Sequence, residues 1–268
     1  MEPWHASLSL EFRLRDGRTV LARRHRGPLQ VQKALYPEGE ALCHTVLIHP
    51  PGGIAGGDAL EIAATAHDGA GALVTTPGAT KWYKANGRQA SQRVTMRVGG
   101  ALEWLPQETI VFDQADVRSE LLVDVADDAA TIGWDIVALG RSAAGEAFTK
   151  GRFAQTIRLA DAGRLEWVER TRLDGGDALL DSPVGLAGRR VFGCLWAVGP
   201  RWRDDDLEAL RERLPAEAPI TRLAPRLLVA RVLATGTQAA RCLLEAVWRE
   251  LRPRVLGRAA VAPRIWAT

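Results

Sequence analysis

Prolines and glycines dominate one ten-residue stretch, His49-Pro50-Pro51-Gly52-Gly53-Ile54-Ala55-Gly56-Gly57-Asp58. The prolines fix φ and remove two backbone donors, whereas the four glycines allow positive φ and close approach of another backbone. Strand-like apolar runs flank the stretch at residues 43–48 and 59–65. The pattern predicts a shaped loop that is held by a sheet and ends in the Asp58 carboxylate. Both a functional loop and a structural turn capped by Asp58 fit this pattern.

Short strand patterns separated by turn signals continue outward from this loop, from about residue 7 to residue 172. Polar and apolar residues alternate in many of them, and dipeptides such as Asp16-Gly17 and Asn86-Gly87 mark turns between them. The predicted strands cover residues 7–14, 19–23, 29–36, 73–76, 92–98, 101–105, 117–125, 131–139, 153–159 and 165–172. Few stretches show the helical period, so this part is predicted to be β.

The C-terminal third changes character and predicts two helices. Acidic residues 204–206 favour the start of a helix, where they meet the positive end of its dipole, and Pro215 is expected to end it. Residues 226–234 predict one more strand. Thr237 is expected to cap a second helix, which Pro253 would end. Since no linker or repeat divides the chain, residues 1–268 are predicted to form a single, mainly β domain.

Composition narrows the possible partners and compartment. The chain has 268 residues, a net charge of +3 and a pI near 9.0, a balance too mild to indicate binding to nucleic acid or to a membrane surface. Its three cysteines form no CxxC motif, and no apolar run approaches the ~18 residues of a membrane span. A cytoplasmic location is therefore expected. Nine tryptophans suggest an exposed surface that a partner covers.

Familiar catalytic motifs are absent from the sequence. The glycine-rich stretch matches neither GxGxxG nor the GK[ST] ending of a P-loop. Around Ser142 the second glycine comes one residue too late for a GxSxG nucleophile elbow. The histidines form no HxH or HExxH pattern, so a tight metal site is not expected, although a labile site of carboxylates and one histidine stays open.

Carboxylates inside apolar strands are more informative. Asp135 follows Trp134 in an apolar run and should face away from it, and Glu169 lies in a similar run. A carboxylate facing the interior must be paired or line water, whereas one on the other face is simply solvated. Trp82 and Tyr83 between two lysines indicate a short amphipathic surface segment or partner contact more than a base-stacking site.

Ordered blocks along nearly the whole chain resemble the UreD (also called UreH) urease accessory proteins. Besides residues 49–58, the matching blocks are Gly27-Pro28-Leu29, Tyr36-Pro37-Glu38-Gly39, Thr75-Thr76-Pro77-Gly78-Ala79-Thr80-Lys81, Leu102-Glu103-Trp104-Leu105-Pro106-Gln107-Glu108, Gly133-Trp134-Asp135, Leu139-Gly140-Arg141 and Pro263-Arg264-Ile265-Trp266. Each block alone is modest, but their order and number make the joint resemblance specific.

The resemblance implies a non-enzymatic scaffold for nickel-urease maturation, folded as a β-helix-like stack of short strands with two C-terminal helices. It implies binding to UreF, to UreG through UreF, and to apo-urease, with no permanent cofactor and only transient Ni²⁺. On this family pattern Asp58, Asp135, Glu169 and Thr80 would line a water-filled nickel passage. The tail residues Pro263, Arg264, Ile265 and Trp266 would be candidates for partner binding.

Two other classes of function remain open at this point. One is a generic β-rich scaffold that binds protein without handling metal, which carboxylates facing bulk solvent would favour. The other is a carboxylate-based hydrolase in which Asp58 and Asp135 form an acid/base pair. Convergence of these two carboxylates in one closed pocket would favour the hydrolase.

Overall fold

A computed structural model describes residues 4–267 as two β-sheets and a layer of helices. Strands make up 49% of the chain and helices 15%, which confirms the mainly β prediction. The strands are β1 His5–Arg15, β2 Arg18–Arg26, β3 Gln30–Leu35, β4 Leu42–Ile48, β5 Ala59–Ala66, β6 Gly71–Thr75, β7 Thr80–Trp82, β8 Ala90–Val98, β9 Ala101–Trp104, β10 Thr109–Val111, β11 Asp116–Val125, β12 Ala130–Leu139, β13 Arg152–Asp161, β14 Arg164–Asp174, β15 Val191–Val198, β16 Ile220–Ala224 and β17 Leu227–Ala234. The helices are α1 Asp204–Arg213 and α2 Thr237–Leu256.

The strands divide into a seven-stranded and a ten-stranded sheet. The seven-stranded sheet has the order β14-β13-β11-β8-β5-β1-β2. The ten-stranded sheet has the order β16-β17-β15-β12-β9-β6-β4-β3, with β10 and β7 attached beside β12. One apolar core lies between the two sheets, and a second lies between the ten-stranded sheet and the helices. The molecule therefore has three layers.

The chain winds back and forth between the sheets. From β4 to β13 the chain alternates between the two sheets, apart from the short strands β7 and β10, which stay in the ten-stranded sheet. Parallel ladders join β5, β8, β11 and β13 in the seven-stranded sheet. Parallel ladders also join β4, β6, β9 and β12 in the ten-stranded sheet. Parallel neighbours require such crossovers. This winding confirms the β-helix-like stack of short strands.

Burial explains why the strands of the two sheets differ in sequence. The ten-stranded sheet is covered on both faces, so β4 and β12 are almost continuously buried and apolar. The seven-stranded sheet exposes one face, so β1 and β5 alternate between buried and partly exposed residues. The sequence predicted the alternating strands well, but missed β7, β10, β15 and β16. Strands β7, β10 and β16 are only three, three and five residues long, and the uniformly apolar β15 carries no period-two signal.

The two predicted helices are present, but the predicted ends of the second are wrong. Gly236, not Thr237, is the N-cap of α2, and no side chain caps that end. The helix continues past Pro253 because Val255 is buried beneath it, and it ends where Gly257 adopts a left-handed φ of 63°. No helix within residues 4–267 has the length and apolarity needed to cross a bilayer.

The aromatic residues lie deeper than the sequence suggested. Trp82 is only 2% exposed and Tyr83 packs edge-on against Phe112 at 5.1 Å between ring centroids, whereas Lys81 and Lys84 are exposed, so the segment is amphipathic, as predicted. The buried tryptophans are Trp82, Trp104, Trp134, Trp167, Trp196, Trp202 and Trp248. Among the tryptophans within residues 4–267, Trp4 alone is largely exposed. The tryptophans therefore pack mainly in the core and do not mark a partner surface.

Candidate functional site

The loop of residues 49–58 is fixed to the ten-stranded sheet by backbone hydrogen bonds. The Ile54 N–H donates to the Lys81 carbonyl (2.7 Å), and the Tyr83 N–H donates to the Ile54 carbonyl (2.8 Å). Ile54 is fully buried between these contacts. The loop is therefore a fixed wall of the site, as the flanking strands predicted.

Two of its glycines are required by packing. A Cβ at Gly53 would lie 2.4 Å from the Tyr83 ring, and a Cβ at Gly56 would lie 1.8 Å from the Ala85 carbonyl oxygen. Both distances are below any real van der Waals contact, so a side chain at either position would push the neighbouring segment away. The close approach predicted for the glycine stretch is thus made against residues 83–85.

Asp58 closes the loop through its carboxylate. One oxygen accepts a hydrogen bond from the Ala55 N–H (2.8 Å) and the other accepts one from the Trp4 N–H (2.9 Å). The lining of the two cavities described next does not include Asp58. This geometry is that of a turn with a capping carboxylate, and it does not bring Asp58 together with Asp135 in one pocket.

Two cavities lie between the sheets beside this loop. The first has a volume of about 570 Å³ and is lined by the loop residues His49, Pro50, Gly52 and Gly53, by the segment 76–81, and by inward-facing residues of both sheets. The second has a volume of about 750 Å³ and extends toward β14, β17 and the segment 184–189. Asp135 and Gln155 line both cavities, so they lie where the two spaces adjoin.

Asp135 lies on β12 with its side chain directed between the sheets, opposite to the buried Trp134. Its carboxylate accepts a hydrogen bond from the Gln155 side-chain amide on β13. Burial raises the pKa of Asp135 above its ordinary value, and the hydrogen bonds from Gln155 and from the Ile136 N–H only partly oppose this shift. The sequence identified Asp135 correctly as facing away from Trp134.

Thr80 and Glu169 lie in different cavities. Thr80 lines the first cavity, whereas Glu169 lines the second. The Arg231 guanidinium donates to Glu169 at 2.5 Å and 3.3 Å, and these bonds raise the pKa of Arg231. Of the four residues expected along a passage, Thr80, Asp135 and Glu169 line the two cavities, and Asp58 does not.

His49 adds a nitrogen to the wall of the first cavity. Its Nε2 is buried and has no hydrogen-bond partner within residues 4–267. Burial lowers the pKa of His49, which favours the neutral imidazole, although the nearby Asp58 charge opposes this. Across the described chain no three His, Cys, Asp or Glu side chains are close enough together to hold a metal ion. The cavities thus present possible metal-binding oxygen and nitrogen atoms at separate points of their walls.

The tail residues 263–266 are folded onto the chain itself. The Trp266 indole N–H donates to the Thr75 hydroxyl (2.8 Å), and its ring lies against Trp134 and Trp248 at centroid distances of 5.2 and 5.7 Å. Pro263 is also buried, whereas Arg264 is exposed. Much of the tail therefore belongs to the second core, and the part presented outward is centred on Arg264.

A buried charge network is the feature that the sequence analysis missed. Arg252 on α2 is completely buried and donates to both Glu38 (2.7 and 2.9 Å) and Glu103 (2.9 to 3.1 Å). The Trp248 indole N–H also donates to Glu103 (2.8 Å), and His44 pairs with Glu38 (2.8 Å). Two features of the sequence could have indicated this network: Glu103 lies within an apolar strand, and Arg252 lies beside the apolar stripe of α2. Gln155 carried no comparable signal.

The sequence of the chain matches a known protein family over nearly its whole length. A family model described as UreD urease accessory protein matches residues 5–267. This chain belongs to the UreD family. The UreD resemblance of the ordered sequence blocks is thereby confirmed.

Curated relatives with the name Urease accessory protein UreD align over almost the full length. The protein from Dechloromonas aromatica is 52% identical over 273 residues, covering 99% of this chain and 95% of the relative. The proteins from Ralstonia nicotianae and Nitrosococcus oceani are 50% and 49% identical, covering 99% of this chain and 94% and 90% of the relatives. UreD proteins are accessory proteins and not enzymes, so the hydrolase alternative is set aside.

Proposed function

We propose that this chain is a urease maturation factor that binds UreF, UreG through UreF, and apo-urease, and that helps to deliver Ni²⁺ to the urease active site through the two inter-sheet cavities. The observation that carries the proposal is the shared wall of those cavities. A 570 Å³ and a 750 Å³ space adjoin at Asp135 and Gln155, which connects the glycine-rich loop on one side with β14 and β17 on the other.

The chemistry of the lining suits a cation that must be released again. Thr80, Asp135 and Glu169 supply oxygen donors that are distributed over the two cavities instead of forming one coordination shell. Oxygen ligands at separate points hold a divalent cation weakly, whereas a closed set of ligands would trap it. The arrangement therefore supports transient occupancy by Ni²⁺ as cargo.

The proposed route passes the hydrogen bond between Gln155 and Asp135, where the two cavities adjoin. An ion moving from the first cavity to the second passes this pair, and within residues 4–267 Asp135 is the carboxylate that lines both spaces. A divalent cation nearby would favour the ionised carboxylate, against the burial that raises its pKa. Asp135 is thus the residue on which the route depends most.

The cellular setting of the proposal is the cytoplasm. All three cysteines, Cys43, Cys194 and Cys242, are unpaired, as expected in a reducing compartment. Nickel delivery to a cytoplasmic apo-urease would place the chain and its partners together there.

The test is co-expression of the urease subunits and the other accessory proteins with the wild-type chain, without it, or with Asp135→Asn. The asparagine keeps the size of the side chain and an acceptor for Gln155, but removes the charge. Asp124→Asn is the matched control, because Asp124 is exposed on β11. The readouts are nickel per urease active site, urease activity, and co-purification of the accessory proteins.

The expected result is loss of nickel without the chain, and several-fold less nickel with Asp135→Asn while the complex still co-purifies. Normal nickel content in the absence of the chain would disprove the maturation role. If the chain is required but Asp135→Asn and the bulkier Gln155→Phe both leave nickel unchanged, the passage is wrong and the chain is a scaffold without a metal role.

A further inference from the structure

The outer face of the seven-stranded sheet, which neither the helices nor the other sheet covers, is rich in arginine. Its arginines include Arg24, Arg26, Arg93, Arg97, Arg118, Arg158, Arg170 and Arg172, here called the arginine face. Arg13 and Arg152 lie on the same side of the sheet and pair with Glu11 and Asp174. The strand register places them on the face opposite the inter-sheet core, where they alternate with buried residues such as Leu8, Ile62 and Val94. The exposed layer is therefore cationic across most of its width.

Five of these arginines have no acidic partner within residues 4–267, whereas the others pair with acids of the same face. Glu120 accepts hydrogen bonds from both Arg93 (2.8 Å) and Arg118 (2.7 Å). By contrast, the guanidinium groups of Arg24, Arg26, Arg97, Arg158 and Arg170 form no ion pair or side-chain hydrogen bond with any residue from 4 to 267. A guanidinium has five donors in a fixed fork that fits a carboxylate, so these five groups can bind external acids.

The centre of the face is a row of short side chains between two of these arginines. Across the strands the row runs from Arg24 through Ser9, Ala63, Thr95 and Leu122 to Arg158. With strands about 4.8 Å apart, the two arginines are separated by roughly 24 Å. The row contains no acid, so another surface can approach closely between them.

A shallow depression lies at the Arg24 end of this row. It has a volume of about 350 Å³ and is lined by Arg24, Arg26 and Arg93, together with Ser7, Ser9 and Thr95 and the single acid Glu61. The unpaired guanidinium groups of Arg24 and Arg26 and three hydroxyls around one hollow make a site for an acidic side chain, whereas Arg93 already binds Glu120. Seven strands wide and three outward-facing residues deep along each strand, the face covers roughly 600 Å², close to one side of a small protein interface.

We infer that the arginine face is a docking surface for a protein of the urease maturation machinery whose contact surface carries an excess of carboxylates, with one acidic side chain entering the depression. A nucleic acid fits less well. The rows contain no aromatic residue on which bases could stack. Glu11, Glu61, Glu120 and Asp124 are interspersed among the arginines, which suits a protein surface whose carboxylates are placed opposite individual guanidinium groups better than a continuous line of phosphates. The inference rests on the proposed function for the choice of partners, but not on the nickel passage.

The test is charge reversal of the central row in the full-length tagged chain. The variant Arg24→Glu with Arg158→Glu changes two exposed, unpaired residues, and Arg24→Lys with Arg158→Lys preserves their charge. Lys84→Glu with Arg201→Glu is the matched control, because it introduces the same charge change at exposed positions outside the face. Each chain is co-expressed with the urease subunits and the other accessory proteins and recovered at 0.05 M or 0.5 M salt, conditions of about 14 Å and about 4 Å electrostatic range.

The expected result is at least about tenfold lower recovery of one of these proteins with the reversal at low salt, and near-normal recovery with the lysine variant and the control. High salt should reproduce the loss for the wild-type chain. Thermal melts show whether the reversal variant folds, and the single Arg158→Glu variant gives a milder test of the same surface.

Equal recovery of every component with the wild type and the reversal would overturn the inference. Nuclease-sensitive nucleic acid in the wild-type sample that is lost with the reversal would also overturn it, in favour of nucleic acid. Failure of the proposed function has a different signature, since urease would then acquire nickel without the chain. If the reversal variant loses a partner while urease receives normal nickel from the Asp135→Asn chain, the docking surface is supported and the nickel passage is rejected.

Discussion

Gly56 shows how one residue fixes the geometry of the loop. A Cβ at this position would lie 1.8 Å from the Ala85 carbonyl oxygen and 2.8 Å from that of Arg88. Both atoms belong to the backbone and cannot rotate away, so a side chain there must displace a whole segment. The loop and the segment 85–88 therefore depend on glycine for their contact.

Gly56→Ala is expected to lower the free energy of unfolding by about 2–3 kcal/mol, the cost typical of overpacking. Gly78→Ala is the matched control, because no atom lies within 4 Å of its added Cβ and its φ is not in the left-handed region. Urea unfolding followed by tryptophan fluorescence measures both variants. A Gly56→Ala protein as stable as the Gly78→Ala protein would show that the loop adjusts freely.

Asp135 should make stability depend on pH. Its folded-state pKa is raised by burial, so the folded protein binds the proton more tightly than the unfolded chain does. This contribution is fully present below the ordinary Asp pKa of about 3.9 and is lost as the pH rises through the raised value. Asp135→Asn has no proton to lose and avoids this penalty.

We therefore expect Asp135→Asn to gain stability relative to the wild type as the pH rises from about 4 to 8. The measurement is the difference in urea midpoint between the two proteins across that range, with Asp124→Asn as the control because Asp124 is exposed. A difference that stays constant or shrinks with rising pH would contradict the burial of the Asp135 carboxylate.

At the scale of elements, Arg252 ties helix α2 to the ten-stranded sheet and to the segment before β4. Its buried guanidinium binds the buried Glu103 and the largely buried Glu38, and it also donates to the Ala259 carbonyl beyond the helix. Although burial disfavours its charge, hydrogen bonds and attraction to the two glutamates raise the pKa of Arg252. The network explains how a long helix is fixed in register on a sheet.

Arg252→Met is expected to lower the free energy of unfolding by about 3–5 kcal/mol, because two carboxylates would remain buried without their partner. Arg254→Met is the matched control on the same helix, where the lost partner is the half-exposed Glu250 and the expected cost is below about 1 kcal/mol. Adding Glu103→Gln to Arg252→Met should recover part of the stability. Equal effects of Arg252→Met and Arg254→Met would mean that the network contributes nothing.

At the scale of the whole molecule, the winding of the chain brings strands from both halves of the sequence into both sheets. Strand β12 pairs with β9 and β10 before it and with β15 after it, and β13 pairs with β11 and β14. Helix α2 packs on β12, β15 and β17. Any cut between β3 and β14 leaves strands of both sheets on each side of the cut.

Unfolding should consequently be a single cooperative transition, coincident by far-ultraviolet circular dichroism and by tryptophan fluorescence. A fragment ending at residue 128 should lack native structure when expressed alone, because the edge of β9 that pairs with β12 and the helix-covered face of its sheet would be exposed. Two separated transitions, or a fragment with native-like protection from proteolysis, would show independent folding units.

Local patterns determined much of the fold. Alternation located strands such as β1, β5 and β11, because one face of their sheet meets solvent and the other meets the core. The acids at 204–206 located the start of α1, where the Arg203 N–H donates to the Asp206 carboxylate (3.0 Å). The ordered motif blocks, taken together, were specific enough to identify the family.

The site was only partly predictable. Asp135 and Glu169 could be found because a carboxylate in an apolar strand is costly unless it has a partner, and Thr80 came from the family resemblance alone. Gln155 could not be found, because an amide in a strand is unremarkable until its neighbour across the sheets is known. Asp58 was singled out by its motif, and the structure gives its carboxylate two backbone N–H partners.

The sequence by itself determined the strand pattern, the two helices, the glycine loop and the family. Only the tertiary structure decided which distant residues meet: Asp135 with Gln155 between two cavities, Arg252 with Glu38 and Glu103, and unpaired arginines on one face. The physical reason is that periodicity and turn chemistry act over a few neighbouring residues. Cavities, buried ion pairs and charged faces depend on the register and packing of strands from across the chain.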